Sequence, residues 1–149
     1  YFEYLQEAFL VDFVSLFSYK VRRQIYNPKK IYCQDTGLVH IASFQFSENK
    51  GRLLENVVFN HLKKEAKEVF YWKNGSEMDF VVRKGYPVHS LYNVCLSIRN
   101  EKTYARESES LQYAKKELRS KKEYLVFWEK NREQDDDFLV NIIDLLLSK

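Results

Sequence analysis

The spacing of hydrophobic and polar positions changes several times along the chain, and each change marks an element. Phe2, Leu5 and Phe9 recur at helical spacing with Glu3 and Glu7 on the opposite face, which predicts a short amphipathic helix over residues 1–10. From Val11 to Phe17 the run is β-branched and aromatic. It reads as a buried strand or as a helix continuing into the core. Asn27-Pro28 then punctuates the chain, Ile31-Tyr32-Cys33 reads as a short strand, and Asp35-Thr36-Gly37 opens a brief apolar helix through Ile41.

The remaining two thirds carry stronger patterns. Ser47 is placed to cap a helix in which Leu54, Val57, Val58, Phe59, Leu62 and Ala66 recur at helical spacing, ending near Lys67. Val69 to Trp72 is a strand, Asn74-Gly75 a two-residue hairpin signal, and Met78, Phe80 and Val82 alternate with Glu77, Asp79 and Arg83 in a second strand. A turn at Lys84-Gly85-Tyr86-Pro87 leads to a third strand over 88–98. Thr103 caps a polar helix to about Arg119, with Tyr104, Leu111, Ala114 and Leu118 on its buried side. Residues 124–128 form a fourth strand, 134–137 a loop, and 138–143 a fifth strand before a short terminal helix. Helix, three-strand meander, helix and further strands make an α/β domain.

Composition narrows the function. With 149 residues, 45% of them hydrophobic and 16% aromatic, the chain is one domain able to fold on its own apolar core. Its four glycines, at 37, 51, 75 and 85, stand too far apart for a GxGxxG dinucleotide turn or a GxxxxGK[ST] phosphate loop. The chain opens on Tyr1 without a leader, so it reads as a piece of something longer. No run approaches the ~20 apolar residues of a membrane span. Cys33 and Cys95 are expected to be reduced thiols in a cytoplasmic protein. His40, His61 and His89 show no metal-ligand spacing with each other or with the cysteines.

The net charge of +3 does not announce a nucleic-acid binder, but the distribution is uneven. Lys20, Arg22, Arg23, Lys29 and Lys30 fall in a stretch without acids, interleaved with Tyr19 and Tyr26. Such a cluster suits phosphate contacts, or an acidic protein partner, or a merely solvated edge. The tyrosines at 1, 4, 19, 26 and 32 suit base stacking or, more commonly, packing.

One carboxylate stands out. Glu55 lies on or beside the apolar stripe of its helix, where a carboxylate needs a partner or a task, and Arg52 and Asn56 offer local pairing. Glu77 and Asp79 share one strand face, opposite Met78 and Phe80, and Asn93 and Cys95 share a face of the next strand, opposite Tyr92, Val94 and Leu96. If the polar faces coincide, all five converge, and Glu55, Glu77 and Asp79 make a hard-oxygen candidate site for Mg²⁺.

This order, together with NPKKIYCQDTGL (27–38), GRLLENVVFNHL (51–62), EMDFVV (77–82) and NVCLSIRNEKTYARE (93–107), resembles a C-terminal domain of unknown function found in prokaryotic AAA-type ATPases. The fold implied is restriction-endonuclease-like, PD-(D/E)XK: an αβββαβ core with a mixed central sheet flanked by helices over 47–149, and an N-terminal helical and strand extension over 1–46 packed on it. The resemblance places ATP and its phosphate loop in an upstream domain, which becomes the first expected partner. DNA, another protein or a second copy of the chain are the others, and no membrane is expected.

In active nucleases of that fold a helix Glu and a strand Asp hold Mg²⁺, and a (Glu/Gln)-x-Lys on the next strand completes the site. Carried onto this chain, those positions are Glu55, Asp79, Asn93 and Cys95, with Glu77 as an extra carboxylate. Cys95 lacks the charge, the reach and the donors of the Lys. Arg83, Lys102 and Arg106 are the candidates for a migrated cation. The expected function is therefore a catalytically degenerate, nuclease-like accessory domain that binds nucleic acid or a protein. The alternative is a Mg²⁺-dependent nuclease with an altered site.

Overall fold

Three antiparallel or meandering strands and two parallel ones share a single sheet, ordered β3-β4-β5-β6-β7, in the computed structural model, which describes residues 2–42, 50–66, 68–129 and 136–148. The strands are β3 (Glu68–Asn74), β4 (Ser76–Arg83), β5 (Val88–Ser97), β6 (Lys122–Glu129) and β7 (Leu139–Asn141). β4 runs antiparallel to β3 and β5, whereas β6 and β7 continue parallel to β5. The parallel step from β5 to β6 needs a crossover, and α5 (Glu101–Leu118) supplies it.

Helices cover both faces. α4 (Lys50–Glu65) buries Leu54, Val58, Phe59 and Leu62 against Phe80, Val82, Tyr92 and Val126, and α6 (Ile142–Leu147) adds Ile142 and Leu145 to the same layer. On the other face α5 buries Leu111, Ala114 and Leu118 against Met78, Val81, Leu91 and Leu125. These two apolar layers hold the fold together, each large side chain contributing ~2–3 kcal/mol of transfer free energy.

The first third packs on the α4 side. After α1 (Phe2–Glu7), a two-stranded sheet joins β1 (Val11–Val14) to β2 (Lys30–Cys33), with α2 (Val21–Tyr26) between them in sequence and α3 (Thr36–Ala42) after them. The 11–17 run thus resolves as a strand over its first four residues, and Leu16, beyond that strand, bridges in parallel to Tyr71 of β3. Backbone bonds from Phe17 N–H to the Tyr71 carbonyl and from Tyr71 N–H to the Ser15 carbonyl, at 2.6 and 3.1 Å, tie this segment to the sheet edge.

Several boundaries differ from the sequence-based expectation. Asn100, not Thr103, caps α5: its side chain accepts the Lys102 N–H at 2.9 Å, so the helix starts one turn earlier. The expected fifth strand stops at Asn141, whose side chain accepts the Ile143 N–H and starts α6 there. Gly75 alone separates the paired Asn74 and Ser76, and its φ of +74° is the left-handed conformation that favours glycine. The expected Ser47 cap and the first half of the 134–137 loop lie outside the described residues.

Candidate functional site

β2 is held to α4 by two asparagines. The Asn56 amide accepts the Cys33 N–H at 2.9 Å and donates to the Cys33 carbonyl at 2.7 Å, pairing with the backbone as a neighbouring strand would. One turn on, Asn60 donates to the Cys33 and Gln34 carbonyls. With the end of β2 fixed, period-two alternation points Lys30 and Tyr32 together at α4 and β4. Tyr32 stacks on Phe59, with ring centroids 4.5 Å apart, and its hydroxyl donates to Glu55.

Lys30 Nζ lies 3.2 Å from Glu55, 3.3 Å from Glu77 and 3.2 Å from Asp79. The ammonium therefore occupies the point common to three carboxylates. The Lys30, Glu55 and Asp79 side chains are each roughly a quarter exposed, so solvent screens the trio only in part. Burial opposes the Lys30 charge, but Asp79, Glu55 and Glu77 outweigh it and raise its pKa. Tyr32 is held firmly as a neutral phenol, by burial first and then by the Glu55 charge.

Glu77 has a second cation in Lys73, 3.3 Å away, but among the described residues Glu55 and Asp79 share Lys30 alone. Burial, and then the Glu55 charge, push Asp79 up to about 6, against the opposing pull of Lys30 and the Val94 N–H. An acid with a raised folded pKa adds stability below its free value and loses it as pH rises through the folded one. Asp79→Asn should therefore stabilise the chain by about 2 kcal/mol at pH 8 and by nothing near pH 4, read from urea midpoints at the two pH values.

A β-bulge sets the position of Asp79. Phe70 and Trp72 of β3 face Val81 and Met78 of β4, so β4 uses three steps where β3 uses two. The extra residue turns Phe80 to the α4 side with Asp79, where it packs against both Tyr32 and Phe59. Strict alternation, which puts Phe80 opposite Asp79, fails at this point. On the other edge of β4, where backbone pairing with β5 stops at Phe80, side chains continue the ladder: Asp79 N–H donates to the Asn93 amide at 3.1 Å, and the Val94 N–H donates to the Asp79 carboxylate at 3.0 Å.

Asn93 and Cys95 take the other side of the sheet. The Asn93 amide is fully engaged, its oxygen by the Asp79 N–H and its nitrogen by Glu107 of α5 at 2.8 Å. Cys95 packs into the α5-side core, where burial and the Glu107 and Asp79 charges push the thiol up to about 12. The five residues thus divide: Glu55, Glu77 and Asp79 converge on Lys30, while Asn93 and Cys95 line the α5 side beneath them. Glu55 finds its partners not in Arg52 or Asn56 but in Lys30 and Tyr32, 25 and 23 residues away.

The expected migrated cations are placed elsewhere. Arg83 forms a two-bond pair with Glu68, at 2.6 and 2.8 Å, and Arg106 pairs with Glu107. No ion pair joins Lys102 to the trio among the described residues. Lys30 was legible only as one member of a basic run, and its role needed the docking of β2 on α4. The other members stay outside: Arg22 lies over Tyr26 at 5.7 Å and Lys29 over Phe13 at 5.9 Å, while Lys20 and Arg23 are exposed.

The arrangement does not fit Mg²⁺. Such an ion needs oxygen ligands at about 2.1 Å around one centre, and here that centre is taken by the Lys30 ammonium. The Asn93 oxygen is turned to the backbone. Among the described residues no group of three or more His, Cys, Asp or Glu side chains is disposed to hold a metal. Among them, too, no helix is long and apolar enough to cross a membrane.

Residues 50–145 match the family model described as a domain of unknown function, DUF4143. The chain is also 36% identical over 124 residues to the uncharacterized protein MJ1544 of Methanocaldococcus jannaschii, a match covering 80% of this chain and 26% of that protein. The chain thus spans about a quarter of the length of this curated relative. No solved structure matches. The matched region runs from the first turn of α4 into α6 and contains the carboxylate trio, so this chain belongs to the DUF4143 family, a domain of unknown function.

Proposed function

We propose that the chain is a cytoplasmic, C-terminal accessory domain of a AAA-type ATPase, built on a restriction-endonuclease-like fold that has lost its nuclease centre and binds nucleic acid or a protein partner. The run α4-β3-β4-β5-α5-β6 reads αβββαβ, with a mixed sheet between α4 and α5, which supports the fold. The observation that carries the functional reading is the Lys30 ammonium within 3.3 Å of Glu55, Glu77 and Asp79. An internal cation in that seat leaves the carboxylates as a structural ion cluster. Asn93 is committed to Asp79 and Glu107, and the Cys95 thiol stays protonated at neutral pH, so neither supplies a ligand or a base. In this reading ATP belongs to an upstream domain, itself a partner, and a second copy of the chain is a further candidate.

The test is incubation with single- and double-stranded DNA and RNA in Mg²⁺ or Mn²⁺, alongside Asp79→Ala. No cleavage that depends on Asp79 is expected. Cleavage lost in Asp79→Ala would overturn the proposal and favour an altered Mg²⁺-dependent nuclease, with Lys30 as its displaced lysine.

A further inference from the structure

Ser18 organises a turn beside the outer edge of the sheet. Its hydroxyl accepts the Lys20 N–H at 3.1 Å, and its carbonyl accepts from the Gln24 side chain at 2.6 Å, which pins α2 against the segment that leads into it. Phe17 packs edge-on against Tyr19 and Phe70, and Trp72 packs against Tyr113. Between these supports lies a cleft of about 200 Å³. Tyr19, Lys20 and Arg23 form one wall, and Trp72, Lys73 and Asn74 of β3 the other.

The charge in this cleft is lopsided. Lys20, Arg23 and Lys73 face a single acid, Glu117, at the end of α5. Among the described residues no ion pair forms at Lys20 or Arg23, whereas Lys73 is 3.3 Å from Glu77. Glu77 in turn reaches Lys30, so a continuous line of charge joins the cleft to the carboxylate trio. The Tyr19 ring, 63% exposed, stands at the cleft wall beside the two unpaired cations. A concave, cationic pocket with an exposed ring at its rim suits a phosphate and the base attached to it. An acidic peptide would use the cations but leave the ring without a flat partner.

We infer that this cleft, formed by Tyr19, Lys20, Arg23 and Lys73, binds a phosphate and the adjoining base of single-stranded nucleic acid. The inference rests on the nucleic-acid arm of the function proposed above, and it deepens that arm by separating the cleft cations from Lys30. Lys20 and Arg23 contact the phosphate, Tyr19 stacks on the base, and Lys30 takes no part because the carboxylates hold it.

Fluorescence anisotropy of the 149-residue chain with a labelled single-stranded oligonucleotide, over a salt series, tests this. Lys20→Glu with Arg23→Glu should weaken binding at least ~10-fold and flatten the slope of log affinity against log salt by about 0.7, the share of one phosphate contact on a single strand. Tyr19→Ala, which leaves the charge unchanged, should weaken binding ~5-fold or more without changing that slope. Lys64→Glu with Lys121→Glu makes the same charge change on exposed residues outside the cleft and should have a much smaller effect. Equal losses in the two double variants would overturn the inference, as would an unaffected Tyr19→Ala. Absence of oligonucleotide binding to the unaltered chain would overturn it too, and so would equally tight displacement by poly-glutamate, which would assign the surface to an acidic protein. None of these outcomes bears on Asp79-dependent cleavage, so loss of the cleft and loss of the degenerate-site reading are told apart.

Discussion

Lys30→Met is expected to destabilise the folded chain by about 3 kcal/mol at pH 7.5, because it leaves the largely buried Glu55 and Asp79 facing each other without a counter-ion, while the more exposed Glu77 keeps Lys73. The Lys30 side chain is 26% exposed, which keeps the figure below that for a fully dry ion cluster. Its pH dependence is the more specific signature. Lys30 has a folded pKa above its ordinary 10.5, so its contribution is present in full below 10.5 and is lost only as pH rises beyond it. The deficit of Lys30→Met should be largest near pH 9 and shrink as pH falls toward about 6, because Asp79, which Lys30 holds down to about 6, takes up its proton at a higher pH once the ammonium is gone. Urea unfolding of both proteins across that range checks it. A deficit independent of pH would mean that lost packing of the lysine stem, and not the ion cluster, dominates.

Phe80→Ala should cost about 3–5 kcal/mol, the range for removing a large aromatic from a close-packed interior. The ring is fully buried and touches both Tyr32 and Phe59, so its loss opens a cavity beneath the strand that carries Lys30. The effect should therefore extend to the site. Loosening Tyr32 weakens the seat of Glu55, and Phe80→Ala combined with Lys30→Met should cost less than the sum of the single changes. A double-mutant cycle by urea denaturation measures that coupling. Strict additivity would show that the ring supports the core but not the ion cluster.

Most elements of the second two thirds were legible because their signals are local. The helical recurrence of Leu54, Val58, Phe59 and Leu62, the glycine at 75 and the alternation of Glu77, Met78 and Asp79 at the start of β4 each reflect contacts within a few residues of chain. Boundaries failed where two residues competed for one role. Asn100 and Thr103 are both competent caps, and only the first backbone N–H groups of α5 decide between them. α2 has no signature in the sequence because it buries no residue, so it carries no apolar stripe. The three carboxylates of the candidate site were legible as misplaced polar groups, and the central cation was not. A lysine in a basic run looks the same whether solvent or an ion cluster receives it.

Local sequence patterns suffice for an α/β domain with a helix, a meander, a crossover helix and further strands, and they mark Glu55, Glu77 and Asp79 as carboxylates in need of a partner. Periodicity and turn chemistry act over a few residues, so they can be read without knowing what lies across the fold. The identity of that partner depends on how distant elements dock. Docking of β2 on α4 through Asn56 and Asn60 carries Lys30 across 25 residues of sequence to Glu55, and a single bulge in β4 chooses which face Phe80 joins. Face and register across a sheet depend on pairing between distant strands. That pairing also put Asn93 and Cys95 on the side away from the lysine.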